Sequence, residues 1–319
     1  MLLQYIEVLK IKMLAHFNNN PNLKVYLAKI GLILTTLAWG ATFVITDEAL
    51  KEMAPFTLNG YRFLVACLST YLMIFIISRY NKYEISNITK LEFIGGLVCG
   101  LFLFLGYSLQ NFGLFGEVDS IDGAATPTNS AFVTSVSVVL VPLFLVLTGR
   151  QKISVSIWYS VFLALIGLMM LLNPFESGFV KGDILTFGCA IFFACHIIAQ
   201  DNYVKKDINI FRFFLVQIGL ASILSFICGF AFEINHQPTI WSNTVINAIL
   251  INGIIATTFA IMIMVWAQRI VTPSQTAIFF SLEPLFAALF SWIYIGEKLS
   301  LLGWAGGLTI IFAILLSDN

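Results

Sequence analysis

Apolar runs of about 18–25 residues, separated by short polar stretches, recur along almost the whole chain. They fall at roughly 27–46, 56–79, 91–115, 127–148, 153–173, 183–204, 208–232, 243–268, 274–295 and 299–316. A helix rising 1.5 Å per residue crosses the ~30 Å hydrocarbon core of a bilayer with a run of this length. The pattern therefore predicts an all-α integral membrane protein with ten transmembrane helices and no soluble domain. Residues 1–20 read differently. Leu2, Ile6, Leu9, Met13 and Phe17 have helical spacing among Glu7, Lys10 and Lys12, and the run breaks at Asn18-Asn19-Asn20-Pro21. Such a segment suits a helix lying on a membrane surface, or a start codon placed too early, and it is too charged for a cleavable signal peptide.

The pattern repeats itself. Thr272 to Trp304, moved back by 146 positions, lies without a gap on Thr126 to Trp158. Nine of the 33 positions are identical, among them Thr126/Thr272, Pro127/Pro273, Lys152/Lys298 and Trp158/Trp304. Five runs precede the midpoint and five follow. An odd number per copy predicts that the second copy is inserted upside down, as in the inverted repeats of secondary transporters. The expected organisation is a segment 1–26, a first repeat 27–173 and a second repeat 174–319. In the first parts of the copies, Arg62 corresponds to Gln217.

Composition agrees with lipid as the solvent. The chain is 59% apolar and 11% charged, against about 25% charged in soluble domains. Its formal net charge is zero, which leaves no electrostatic footprint for nucleic acid. The five cysteines lie in apolar runs with no ligand-like spacing, so they read as small hydrophobes. With the N-terminus in the cytoplasm, 13 of the 17 basic residues fall in inside segments and three in outside loops, with Arg62 inside a span. By the positive-inside rule both termini are cytoplasmic. One stretch breaks the symmetry: the link before Thr126 carries about 12 more residues than its counterpart, including Glu117, Asp119 and Asp122. It reads as a solvated outer loop or a cation-attracting vestibule.

Trp39-Gly40-x-x-Phe43, Gln110-x-x-Gly113-Leu114, Trp266-Ala267-Gln268-Arg269, Leu282-Glu283-Pro284 and Gly296-Glu297-Lys298-Leu299 stand in one order across both halves. Together they resemble the EamA-type transporters of the drug/metabolite transporter superfamily, over about residues 30–316. The resemblance implies ten helices, a bacterial cytoplasmic membrane, and movement of small metabolites, often export of amino acids or related compounds.

Ionisable groups deep in a span are costly and mark candidate sites. Arg62, His196 and Glu283 are the three. Arg62 lies on a stripe with Asn59 at i−3. Glu283 is followed by Pro284, which lacks a backbone donor. Pseudo-symmetry suggests an Arg62–Glu283 contact mirrored by Gln217–Ser137. Tyr107, Gln110, Asn111 and Asn129 add polar groups that either line a route or hold helices together, and Trp39 is a candidate cavity wall. Each also has a structural reading: Arg62 snorkelling to the surface, His196 as a packed core group, Glu283 as partner to a broken helix. No Gly-Lys phosphate loop is present, so ATP drive is not expected, nor is a metal or other cofactor. The reading is a secondary transporter of small solutes, not an enzyme, working by alternating access and coupled to a proton or counter-solute gradient. Its rivals are a nucleotide-sugar or lipid-linked sugar carrier, for which more basic groups would be expected, and a scaffold or receptor without flux.

Overall fold

The computed structural model describes residues 20–81, 87–116, 123–172, 180–233, 240–295 and 300–317. Residues 1–19 and the acidic positions Glu117, Asp119 and Asp122 lie outside the described residues. Among the described residues every regular element is helical: α1 (Pro21–Leu50), α2 (Pro55–Asn81), α3 (Lys90–Leu114), α4 (Pro127–Ser135), α5 (Ser137–Leu147), α6 (Val155–Leu172), α7 (Lys181–Val204), α8 (Ile210–Phe232), α9 (Asn243–Leu250), a π-helix (Ile251–Phe259), α10 (Ala260–Ala267), α11 (Pro273–Phe280), α12 (Glu283–Ile295) and α13 (Leu301–Leu316). Among the described residues, seven helical runs are long and apolar enough to cross a membrane, and α6 and α13 are shorter apolar helices. Two of the seven are composite: Pro127–Leu147 joins α4 to α5, and Asn243–Ala267 runs from α9 through the π-helix to α10.

Local chemistry sets the helix starts. The side chains of Asn20, Thr126, Thr272 and Ser300 accept the backbone N–H three residues on, and Pro21, Pro127 and Pro273 follow the first three of these caps. Proline suits that place because its missing N–H would go unused there. The two Thr-Pro starts, 146 positions apart, lead into helices that break at matching points. α4 ends at Ser135 and α5 begins at Ser137; α11 ends at Phe280 and α12 begins at Glu283. The sequence pattern predicted one continuous span at each place. Glu283-Pro284 hinted at the second break, whereas Ser135-Val136-Ser137 gave no comparable signal for the first.

Large apolar side chains cover much of the outside, and the interior sets polar groups within an apolar core. Gln200, Gln217, Gln268, Thr35 and Thr257 are fully buried, while Leu301, Phe230, Leu147 and Ile184 stand exposed. The apolar exterior fits a lipid surround, where apolar surface costs nothing and buried polar groups must find partners within the protein. The packing runs in matched sets: α3 on α7 and α10 on α1, α3 on α8 and the π-helix on α2, α2 on α8, and α6 on α13.

Glycines on α3 and α13 let helices approach closely. Gly96 and Gly100 of α3 face α8. On α13 the close approach to α6 is made by Gly306, next to Gly307 of the Gly303-x-x-x-Gly307 spacing, while Gly307 faces Leu285 of α12. A Cβ on Gly167 would stand 2.7 Å from the Gly306 carbonyl oxygen, and one on Gly306 2.5 Å from that of Gly167. Backbone meets backbone here, so neither side can yield cheaply. Gly167→Val should therefore lower the melting temperature in detergent, by overpacking worth about 1–3 kcal/mol. Gly219→Ala, where nothing lies within 4 Å, should leave melting unchanged or raise it. Equal melting of Gly167→Val and the native protein would show that α6 and α13 do not pack this closely.

Candidate functional site

A cavity of about 720 Å³, its open end included, lies inside the bundle. It reaches from mid-helix to the end where α1 and α3 finish and α2, α4 and α7 begin. Trp39, Phe43, Thr42 and Thr46 of α1 form one wall, and Leu103, Tyr107, Gln110 and Leu114 of α3 another. Thr134, Ser135 and Ser137 border it at the α4–α5 break, and Phe280 and Glu283 at the α11–α12 break. Ser137 and Glu283 are again 146 positions apart. Two matching breaks thus bring a hydroxyl and a carboxylate to one space. Ile197, Ile261 and Met264 close its deeper end.

Arg62 is 4% exposed and points into this space. Its Nε donates to Thr257 Oγ1 at 2.9 Å, and its guanidinium carbon sits 4.0 Å from the centroid of the Tyr107 ring. Hydrogen bond and ring together hold a buried cation that the bilayer interior would otherwise expel. The π-helix decides which hydroxyl meets Arg62. Thr257 Oγ1 donates to Asn252 O at 2.7 Å and Thr258 Oγ1 to Gly253 O at 3.1 Å, both five residues back. Two α1 side chains pin the same region: Trp39 Nε1 donates to Ala256 O at 2.8 Å and Thr35 Oγ1 to Ala260 O at 3.1 Å. Such π-segments tend to occur at functional sites.

The expected Arg62–Glu283 contact is not made. Among the described residues no ion pair joins them, although both line the cavity. α2 packs on α8 and the π-helix, whereas α12 packs on α1 and α4, so the two charges face a shared space from different walls. The mirrored Gln217–Ser137 contact is also absent. Gln217 Oε1 lies 3.2 Å from His196 Nε2 instead, behind the wall on which His196 stands.

Of the other residues singled out by sequence, Trp39, Tyr107, Gln110 and His196 line the cavity. Gln110 Nε2 donates to Thr134 Oγ1 at 3.2 Å. Asn59 does not line it; it is fully buried with neither side-chain atom hydrogen-bonded. Asn111 donates to Pro55 O at 3.5 Å, a weak helix-to-helix link. Asn129 sits in the first turn of α4, its backbone N–H on Thr126 Oγ1. Sequence reasoning missed Thr42, Thr46, Ser135 and Thr257. Helical hydroxyls usually satisfy their own backbone, so no sequence signal separates those that face a cavity from those that do not. No group of three metal-ligating side chains occurs among the described residues.

A multi-helix apolar bundle around a charged internal cavity is the construction of a membrane transporter. The chain belongs to the EamA-like transporter family, whose model matches residues 27–173 and again 180–317. It is 31% identical over 312 residues to an uncharacterized transporter of Archaeoglobus fulgidus, covering 97% of this chain and 91% of that protein. It is 20% identical over 298 residues to the uncharacterized transporter YoaV of Bacillus subtilis, covering 90% and 95%. A solved crystal structure shares the fold at a TM-score of 0.71 and 14% identity, over 91% of this chain and 95% of that one.

The hold on Arg62 can be tested without knowing the solute. Thr257→Val keeps the shape but removes the acceptor for Arg62 Nε, leaving a buried donor unmatched at about 1–3 kcal/mol. Its melting temperature in detergent should fall, while Thr257→Ser should melt near the native protein. Native-like melting of Thr257→Val would show that this bond does not hold the guanidinium.

Proposed function

We propose that the protein is a secondary transporter that exports small zwitterionic metabolites, such as amino acids or related compounds, by alternating access. One observation carries the reading: Arg62 and Glu283 face a single aromatic-walled cavity without pairing to each other. A cation and an anion held apart suit a solute that carries both charges. Its carboxylate would meet the guanidinium, its ammonium group would meet Glu283, and Trp39, Phe43, Phe193 and Phe280 would receive its apolar part. A single arginine is sparse for a sugar nucleotide, whose diphosphate would call for several cations.

Architecture supports the mechanism. The family model matches each half separately, the Thr-Pro starts and helix breaks recur at one offset, and the packing sets match under exchange of the halves. We read these as two inverted five-helix repeats making ten crossings, with α4–α5, α9–α10 and α11–α12 each counting as one. Discontinuous helices at mid-depth commonly form the solute site in such transporters. At the closed end, Gln200 Nε2 donates to Gln268 Oε1 at 2.7 Å and Gln268 Nε2 to Ile197 O at 3.2 Å. Opening this side would have to break both bonds. The basic-residue bias supports that end being cytoplasmic and the open end outside, and a bacterial cytoplasmic membrane is what the family resemblance implies. Export is the direction that the family resemblance implies. Glu283 can also carry a coupling proton.

The test is flux in liposomes with a panel of labelled neutral, acidic and basic amino acids. A neutral amino acid should accumulate under an imposed proton gradient and without ATP. Glu283→Gln and Arg62→Gln should each weaken apparent affinity at least roughly tenfold, as loss of one charged contact does. Accumulation that required ATP, or full flux in both variants, would overturn the reading. Orientation has a separate check: a cysteine replacing Lys51 should label from outside intact cells, and one replacing Asn202 should not.

A further inference from the structure

Arg150 lies just beyond α5, after a turn in which Gly149 adopts φ +63°. That positive φ is cheap only for glycine. It folds the chain back so that the Arg150 and Gln151 N–H groups both reach Leu145 O, at 3.0 and 3.4 Å. The turn sets Arg150 beside the last turn of α7. There it borders a recess of about 970 Å³, open mouth included, together with Lys205 and Lys206 and an apolar floor of Leu145 and Ile198. One carboxylate, Asp201, faces these three cations, and it is engaged by Lys205 at 2.7 Å. Lys206 lies 5.1 Å from the Tyr203 ring centroid. The recess therefore carries two cations more than anions. It is lined by different residues from the solute cavity, although α5 and α7 contribute to both.

We infer that this recess receives the phosphate headgroup of an anionic phospholipid. Charge complementarity calls for an anion with several oxygens, which Arg150 can meet with a planar fork and Lys206 as a point charge. The surroundings select a lipid over a free phosphate. Leu147, 72% exposed, and Val146, 45% exposed, stand on the same end of α5. In a membrane these side chains face acyl chains, so the level of Arg150 is the level of the headgroups. Basic pockets between helix ends at a membrane surface are known to take such headgroups. α7 also carries His196 and Gln200, so a lipid held at its end would bias the element that closes the solute cavity.

The experiment measures Tm of the full chain in detergent against added dioleoylphosphatidylglycerol, dioleoylphosphatidylcholine or inorganic phosphate. Phosphatidylglycerol should raise Tm and phosphatidylcholine should not, since a ligand that binds only the folded state stabilises it. Arg150→Gln/Lys206→Gln should need at least roughly tenfold more phosphatidylglycerol for half the shift, given the attraction of two basic residues to an anionic lipid. A control, Arg79→Gln/Lys90→Gln, removes two basic residues elsewhere and should keep the native response. Equal shifts with both lipids, or an unchanged response in the recess variant, would overturn the inference. An equal loss in the control would assign the effect to diffuse surface charge, and the same shift with inorganic phosphate alone to a soluble anion. Either result also overturns it. None of these readouts depends on the transported solute, so failure here leaves the transport reading intact, and failure there leaves this one.

Discussion

Keeping a guanidinium inside a bilayer-spanning bundle is the constraint on which the centre of this molecule depends. An uncompensated arginine at that depth would be expelled toward water. Arg62 stays because three different elements converge on it: Tyr107 of α3 offers its ring, Thr257 of the π-helix its hydroxyl, and α2 supplies the backbone. In the π-segment 251–259 the Thr257 hydroxyl both bonds back five residues to Asn252 O and accepts from Arg62 Nε. Trp39 of α1 covers the Ala256 carbonyl within this segment, and Thr35 that of Ala260 at the start of α10.

The same logic of partners within the protein extends to both ends of the bundle. Glu92 of α3 accepts from the Asn209 N–H at 2.7 Å and from Arg212 at 2.8 and 2.9 Å, closing the start of α8. Glu233, at the end of α8, accepts from Phe56 N–H and Thr57 N–H at 2.7 and 2.8 Å, closing the start of α2. Each carboxylate meets the positive end of a helix dipole. The first clamp ties α3 to α8 at one end of the bundle, and the second ties α8 to α2 at the other.

Against that frame the cavity is a place where charge is left available. Arg62 spends its Nε on Thr257, and Glu283 begins α12 with no hydrogen bond or ion pair to a neighbouring side chain in the described structure. A transporter needs such a balance. Groups fully satisfied by the protein would have nothing to offer a solute, and groups wholly unsatisfied would not stay buried.

The length of the apolar runs was enough to read a membrane bundle from residues alone, and the recurrence of Thr-Pro, Lys and Trp at one offset suggested a duplication. Length matters because a bilayer has a definite thickness, and offset matters because it survives substitution. Arg62, Glu283 and His196 were equally legible, since an ionisable side chain in an apolar run stands out in any register. The partners of these groups were not. Arg62 meets Thr257 and Tyr107 and not Glu283, and Gln217 meets His196 and not Ser137. Those choices turn on helix rotation, on a π-segment that no composition marks, and on breaks at 136 and 281–282 whose effect on direction no residue spells out. Side-chain pairing in a bundle is decided by which faces meet, and the faces meet only once all the helices have packed.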